Sequence, residues 1–161
     1  LIRDSTPQQW LQTMLINAVG PYFVSRAFLP AMLERTWGRI VNVSSAASLG
    51  APSGMNSAYP LSKVALNHFT RQLAAELEGS GLTANCLHPG EVKTEMWAAI
   101  RDDSVAREEA GGRQWAQLVE DTGGDPPEKT ADLVMDILGN GELNGQFLWV
   151  RDGIQKPRET W

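Results

Sequence analysis

Cysteine is nearly absent: Cys86 is the one cysteine in 161 residues. No intramolecular disulfide can form, and a reducing cytoplasm is the compartment expected. A basic excess is missing too. Fourteen Lys and Arg stand against 19 Asp and Glu, for a net charge of −5. A nucleic-acid surface would want a basic stripe, so no nucleic-acid partner is expected; an anionic cofactor can still sit in a local pocket. No apolar run approaches the ~20 residues that span a bilayer, so no membrane partner is expected either. Neither a signal peptide nor an internal repeat is visible, although the chain opens with Leu1 rather than Met, which leaves room for a preceding segment. What is present is an ordinary globular balance, 42% hydrophobic and 20% charged, over a length suited to one domain, residues 1–161.

Thr6-Pro7-Gln8-Gln9 has the marks of a helix start: a capping threonine, a proline at the first helical position and a glutamine that closes a capping box. Apolar residues at helical spacing carry the pattern to about Arg35, with an interruption at Gly20-Pro21. Pro21 has no N–H to give the carbonyl four residues back, so the carbonyl of Asn17 is expected to be free. Gly38 to Ser44 is a β-rich run, and residues 45–56 are loop. A second helix starts near Ser57, its stripe Leu61, Ala65, Phe69, Leu73 and Leu77 ending at Gly79-Ser80-Gly81. Leu82–Leu87 is a second strand, stopped by His88-Pro89-Gly90. Residues 91–125 predict short helices on a mobile excursion. Asp125-Pro126-Pro127-Glu128 predicts another capping box, opening a helix to about Leu138, and Gln146–Val150 predicts a third strand. The tail from Gln155 to Trp161 is expected to pack on the protein or at a subunit contact. This alternation predicts an α/β fold on a parallel sheet, with any site beyond the carboxyl ends of the strands.

The stretch Tyr59-Pro60-Leu61-Ser62-Lys63 puts a phenol and an ammonium on one face of a helix start. A phenol carries protons poorly at neutral pH unless something stabilises the phenolate. At ~4 Å the attraction of an ammonium is about 1 kcal/mol in water and about 4 kcal/mol at an effective dielectric of 20. Such a pair therefore works only in a covered pocket. Ser45 can hold a substrate oxygen, and the Asn17 carbonyl can hold a water near Lys63. Together these make a proton path to a carbonyl or alcohol oxygen; the hydride itself needs a nicotinamide. Alone, each element has a plainer meaning: a core tyrosine with a solvated lysine, a capping serine pair, a helix kink.

In their joint order these residues resemble the short-chain dehydrogenase/reductase family. Ile16-Asn17-Ala18-Val19-Gly20 is similar to its helix asparagine motif and Gly38-Arg39-Ile40-Val41-Asn42-Val43-Ser44-Ser45 to its serine strand. Tyr59-Pro60-Leu61-Ser62-Lys63 is similar to its Tyr-x-x-x-Lys helix and Pro89-Gly90-Glu91-Val92-Lys93-Thr94 to its nicotinamide-side loop. The spacings agree: 28 residues from Asn17 to Ser45 and 14 from Ser45 to Tyr59. The resemblance implies Tyr59 as general acid/base, with Lys63 lowering its pKa and binding the nicotinamide ribose. It implies Ser45 as the holder of the substrate oxygen and Asn17 as the holder of a relay water. Pro89, Gly90, Val92 and Thr94 would sit on the NAD or NADP side. The segment from Glu91 to about Gly124 would be a substrate-side lid, in which Met96, Trp97 and Trp115 are candidates for lining or simple packing. It further implies a small alcohol or carbonyl substrate and a homodimer or homotetramer. Pro60 departs from the family's usual small residue but costs little in a first helical turn. No metal ligand is assigned, and neither Cys86 nor His88 is given a role.

The glycine-rich turn that would take the cofactor pyrophosphate is missing, as is the residue that would choose NAD over NADP. The chain is therefore expected to be the C-terminal part of a Rossmann-like oxidoreductase, a partial doubly wound sheet with helices on both faces. On the order of 90 residues, three βαβ-sized pieces, would precede it. The strand at 39–44 would then have an unpaired edge. Two rival readings remain. One is a truncated, inactive relative serving as a dimerisation or interaction module. The other is an extended-branch epimerase or dehydratase, for which the ~70 residues after Gly90 leave little room.

Overall fold

The first helix begins as its residues dictate. In the computed structural model, which describes residues 2–50, 56–106, 108 and 110–160, α1 spans Pro7–Met14. Thr6 Oγ1 accepts from the Gln9 backbone N–H at 3.2 Å while Gln9 Oε1 accepts from the Thr6 backbone N–H at 3.1 Å, the reciprocal capping box expected. The interruption at Gly20-Pro21 is not a break. Leu15–Val19 forms a π-turn, with the Gly20 N–H donating to Leu15 O, and the helix resumes as α2, Gly20–Glu34. Pro21 cannot donate to Asn17 O, and the wider turn absorbs that loss without ending the helix. Both α1 and the π-turn pack on α3, Ala58–Glu76.

The sheet has the order β1-β2-β3-β4, with β1 at Gly38–Val43, β2 at Leu82–His88, β3 at Phe147–Trp149 and β4 at Gly153–Arg158. β1, β2 and β3 run parallel, pairing Gly38 with Leu82 through Val43 with Leu87, and Cys86 with Phe147. Every residue of β2 is buried, as a central parallel strand requires. Its side chains alternate between two layers. Leu82 and Ala84 pack with Leu73, Ala74 and Leu77 of α3 and with Leu29 and Met32 of α2. Leu87 joins Leu148, Leu133 and Ile137, the last two from α6, Pro127–Gly139. Helices thus cover both faces, and β1 forms one edge with no strand beyond it among the described residues.

Three of the expectations need correction. The tail was not expected to form a strand, yet its β4 pairs antiparallel with β3 and forms the other edge; Trp161 lies outside the described residues. Asp152-Gly153, a hairpin-turn signal after a β-rich run, was the clue. Gly153 has φ of 67° and the Asp152 N–H donates to Trp149 O at 2.9 Å. On α3 the buried face is Ala58, Ser62, Leu66, Asn67, Thr70, Leu73 and Ala74, so the i+4 stripe is inward only at its end, where Leu73 and Leu77 are buried, and Leu61 at its start is 46% exposed. This face turns small and polar residues inward because each finds a partner there: Asn42 Nδ2 and Cys86 Sγ both reach Thr70 Oγ1, at 2.8 and 3.1 Å. Finally, α6 has no side-chain cap; Asp125, expected to cap it, instead accepts from the Glu91 backbone N–H at 3.0 Å.

The excursion between β2 and α6 folds into two helices, α4 at Glu95–Ala106 and α5 at Ala110–Thr122. The return to β3 is fixed by two amides. Buried Asn85 accepts from the Gln146 N–H at 3.0 Å and donates to Leu143 O at 2.8 Å, while Asn144 accepts from the Ala84 N–H at 3.0 Å and donates to Ala74 O at 2.8 Å.

Burial pushes the Cys86 thiol from 9.0 up to about 11. The neutral thiol is the favoured form, so its contribution to stability is intact below pH 9.0 and is lost as pH rises through about 11. Iodoacetamide at pH 8 is expected to label Cys86 rapidly in urea and at least about tenfold more slowly in the folded protein. Equal rates would show that the strand does not shield it.

Candidate active site

The carboxyl ends of β1 and β2 carry the residues singled out in the sequence. Lys63, one turn into α3, sends its Nζ to Val43 O at the end of β1, 3.0 Å away. The same ammonium lies 5.7 Å from the centroid of the Tyr59 ring. Burial pulls the Lys63 ammonium below the usual lysine range, with a smaller opposing effect from Cys86. Tyr59 is half-buried, and its backbone N–H donates to Asn56 O at 3.2 Å, where the helix begins.

Ser45 follows β1 in extended conformation and accepts from the Ala47 N–H at 3.2 Å. Its loop is held by a residue that sequence reasoning missed. Asn67 of α3, 1% exposed, accepts from Ser44 Oγ at 2.5 Å and donates to Ser48 Oγ at 2.8 Å; Ser48 Oγ in turn donates to Ser45 O at 2.6 Å. Both amide atoms of Asn67 are thus used to set the backbone on either side of Ser45. The only advance signal was an asparagine on a helix with Ser62 and Thr70 nearby, which does not by itself separate an inward from an outward face.

Asn17 stands in the π-turn. Its Nδ2 donates to Ser62 Oγ at 3.1 Å, and Ser62 Oγ donates to Tyr59 O at 2.7 Å. Ser62, fully buried, ties the asparagine helix to the tyrosine turn. That tie too went unread, since Ser62 lay inside the motif as one of its variable positions.

At the end of β2, Pro89 O accepts from Thr130 Oγ1 of α6 at 2.6 Å. Gly90 has φ of 82°, and a Cβ there would lie 2.6 Å from Asp125 Oδ2 and 2.7 Å from Val150 Cγ1, so only glycine fits. Val92 is half-buried, and Thr94 Oγ1 accepts from the Trp97 N–H at 3.2 Å at the start of α4. Of the lid candidates, Met96 is exposed and Trp97 is buried between Lys93 and Arg101, which makes it a packing residue. Trp115 Nε1 donates to Glu91 Oε2 at 2.7 Å. The hydrogen bond from the Glu91 backbone holds the Asp125 carboxyl below its ordinary range, partly offset by burial and helped by Lys129.

Chemically, the cluster offers a phenol, an ammonium and a serine hydroxyl at adjacent strand and helix ends. An ammonium has three donors, and Lys63 spends one on the strand, which fixes where the others point. Among the described residues no group of three His, Cys, Asp or Glu stands where it could hold a metal, and no helix is long and apolar enough to cross a membrane.

Comparison with known proteins agrees with this architecture. A family model described as short chain dehydrogenase matches residues 1–105. A short chain dehydrogenase of Pseudocercospora fijiensis is 40% identical over 96 residues, which make up 60% of this chain and 30% of that protein. A D-beta-hydroxybutyrate dehydrogenase of Cupriavidus necator is 38% identical over 95 residues, 59% of this chain and 36% of that protein. Among solved structures, an actinorhodin polyketide ketoreductase with NADPH superposes with a TM-score of 0.81 at 28% identity, covering 93% of this chain and 60% of that one. The chain therefore spans about a third of the curated relatives and well over half of the solved one. With its strand ends, its helix order and the matched model in agreement, the chain belongs to the short-chain dehydrogenase family.

Proposed function

We propose that this chain is the catalytic part of an NAD(P)-dependent oxidoreductase that interconverts an alcohol and a carbonyl, with Tyr59 as general acid/base. The observation that carries the reading is the half-buried Lys63 ammonium, bonded to Val43 O at 3.0 Å and 5.7 Å from the Tyr59 ring centroid. A cation anchored there favours the phenolate whenever the pocket is covered.

The residues fit a nicotinamide cofactor in their donor chemistry. Lys63 keeps N–H donors beyond its strand contact, suited to ribose hydroxyls, and Pro89, Gly90, Val92 and Thr94, after the end of β2, would contact the cofactor on its other side. When bound, the nicotinamide supplies or accepts the hydride. This chain's own part is to handle the proton and the oxygen. Ser45 holds the substrate oxygen, and Tyr59 gives that oxygen a proton in reduction or takes one in oxidation. Lys63 stabilises the phenolate left behind. Asn17 orients the far end of the proton path, supported by its hydrogen bond to Ser62.

A second reading, an interaction module, is favoured by apolar exposure on the first helical segment. Leu11, Leu15, Ile16, Phe23 and Phe28 are each more than half exposed. The same surface serves the enzymatic reading if a second copy covers it, so exposure alone does not choose. Turnover does.

Two outcomes are expected. In the complete protein, Tyr59→Phe lowers kcat by about 10²–10⁴-fold with ethyl acetoacetate and NADPH or NADH, and leaves cofactor affinity within about threefold. Retained turnover would remove Tyr59 from the mechanism. The 161-residue chain by itself, which carries no glycine-rich phosphate turn, is expected to bind NADH and NADPH weakly or not at all in isothermal titration. Micromolar binding would overturn that.

A further inference from the structure

Glu91, in the loop after β2, is tied down through its backbone and its side chain together. Its backbone N–H donates to Asp125 Oδ2 and its carbonyl accepts from the Asp125 N–H, both at 3.0 Å. These reciprocal bonds join the first and last residues of the 91–125 excursion and close it at the base. The side chain does the rest. Oε2 accepts from Trp115 Nε1 of α5 at 2.7 Å, and Oε1 lies 3.5 Å from Nε2 of buried His88, the last residue of β2. One carboxylate therefore reaches from the end of the central strand to the middle of the excursion's second helix.

We propose that Glu91 is a positioning residue: it fastens the α4–α5 excursion over the carboxyl ends of the sheet and so fixes the substrate side of the site. The proposal rests on the oxidoreductase reading for its purpose, but not for its geometry. Glu91 is placed for this role because its carboxylate is 21% exposed, so the charge-assisted bond to an indole N–H is only partly screened. The groups around the carboxylate suit an anion. His88 faces it from β2, Arg151 acts on it from the loop after β3, and the neighbouring Asp125 is itself neutralised by Lys129. The His88 contact is the leading influence holding the Glu91 carboxyl below its ordinary range, partly offset by burial, with Trp115 adding to it. His88 is in turn braced edge-on against Trp149 of β3, 4.6 Å between centroids. The excursion is consequently indexed to two strands at once.

The Trp115 bond separates a clasp from ordinary packing. Glu91→Gln keeps an acceptor for the indole but loses the charge; Glu91→Ala loses both; Trp115→Phe removes the donor and keeps the ring. Hydrogen exchange on the complete protein without substrate is the first readout. Glu91→Ala and Trp115→Phe are each expected to speed amide exchange in residues 95–122 by about tenfold while β2 and α3 stay protected. Glu91→Gln should restore most of the protection, and the double variant should exchange no faster than Glu91→Ala. Unchanged exchange, or an equal increase throughout the protein, overturns the clasp. The second readout is kinetic, with ethyl acetoacetate and reduced cofactor. Glu91→Ala should raise KM about tenfold with kcat within about threefold, and Glu91→Gln should recover most of the KM. KM unchanged in an active enzyme overturns the positioning role. If the unaltered protein turns over no carbonyl substrate at all, the oxidoreductase reading fails and the purpose assigned to Glu91 fails with it, while hydrogen exchange still decides the clasp.

Discussion

The hydrogen bond from Lys63 Nζ to Val43 O is the contact on which the site depends. It spans from a helix to the last residue of a strand, and it costs a lysine part of its hydration, since burial disfavours the charged form. What it supplies is a fixed position for a charge. A lysine free in solvent samples many rotamers and attracts a phenolate weakly. Here the ammonium is pinned to the sheet, 5.7 Å from the Tyr59 ring centroid. The neighbouring contacts follow the same pattern, each joining a helix to a strand end or to another helix: Asn67 to the serine loop, Ser62 to Asn17, Thr130 to Pro89. The active end of the sheet is held by side chains that bond to backbone or to hydroxyls, while the apolar layers on its two faces hold the body of the fold.

Parts of this were plain in the sequence because they rest on local physics. The Thr6–Gln9 cap is a four-residue event, and both of its bonds are present. The strands at Gly38 and Leu82 are dense in β-formers, and Pro21 does disturb the helix at Asn17, although as a wider turn and not as a break. Other parts need information that is not local. The leucine stripe of α3 marks the buried face at Leu73 and Leu77 but misses it by one position toward the start of the helix, because leucines at i+4 spacing outweigh serine and asparagine on any hydrophobicity count. Only the hydroxyls and amides waiting on β1 and its loop make the polar face the inner one. Asp125 presents the same lesson. As a local signal it is a helix cap; in three dimensions its carboxylate is taken by Glu91, 34 residues away. β4 differs, since Asp152-Gly153 did announce a turn and the strand after it was simply not followed. The grouping of Tyr59, Lys63 and Ser45 came from the motif order and from the rule that parallel sheets collect function at their carboxyl ends; in the structure Lys63 reaches the end of β1 and lies 5.7 Å from the Tyr59 ring centroid.

The family assignment fixes the frame but leaves the substrate to this chain's own residues. The relatives act on quite different molecules by their names, a hydroxy acid in one case and a polyketide in another. The family model ends at residue 105, before α5 and α6.

The π-turn at Leu15–Val19 has a consequence for how this helix tolerates change. It is one residue wider than an α-helical turn. A single deletion inside it would iron out the bulge and leave a perfectly regular helix. The flanking segments would keep their facing toward α3, because the wide turn takes up its additional residue without adding rotation. What the bulge shapes is local: it sets the backbone from which Asn17 reaches Ser62, so straightening it would spare the packing of the helix and move the one side chain that the turn presents.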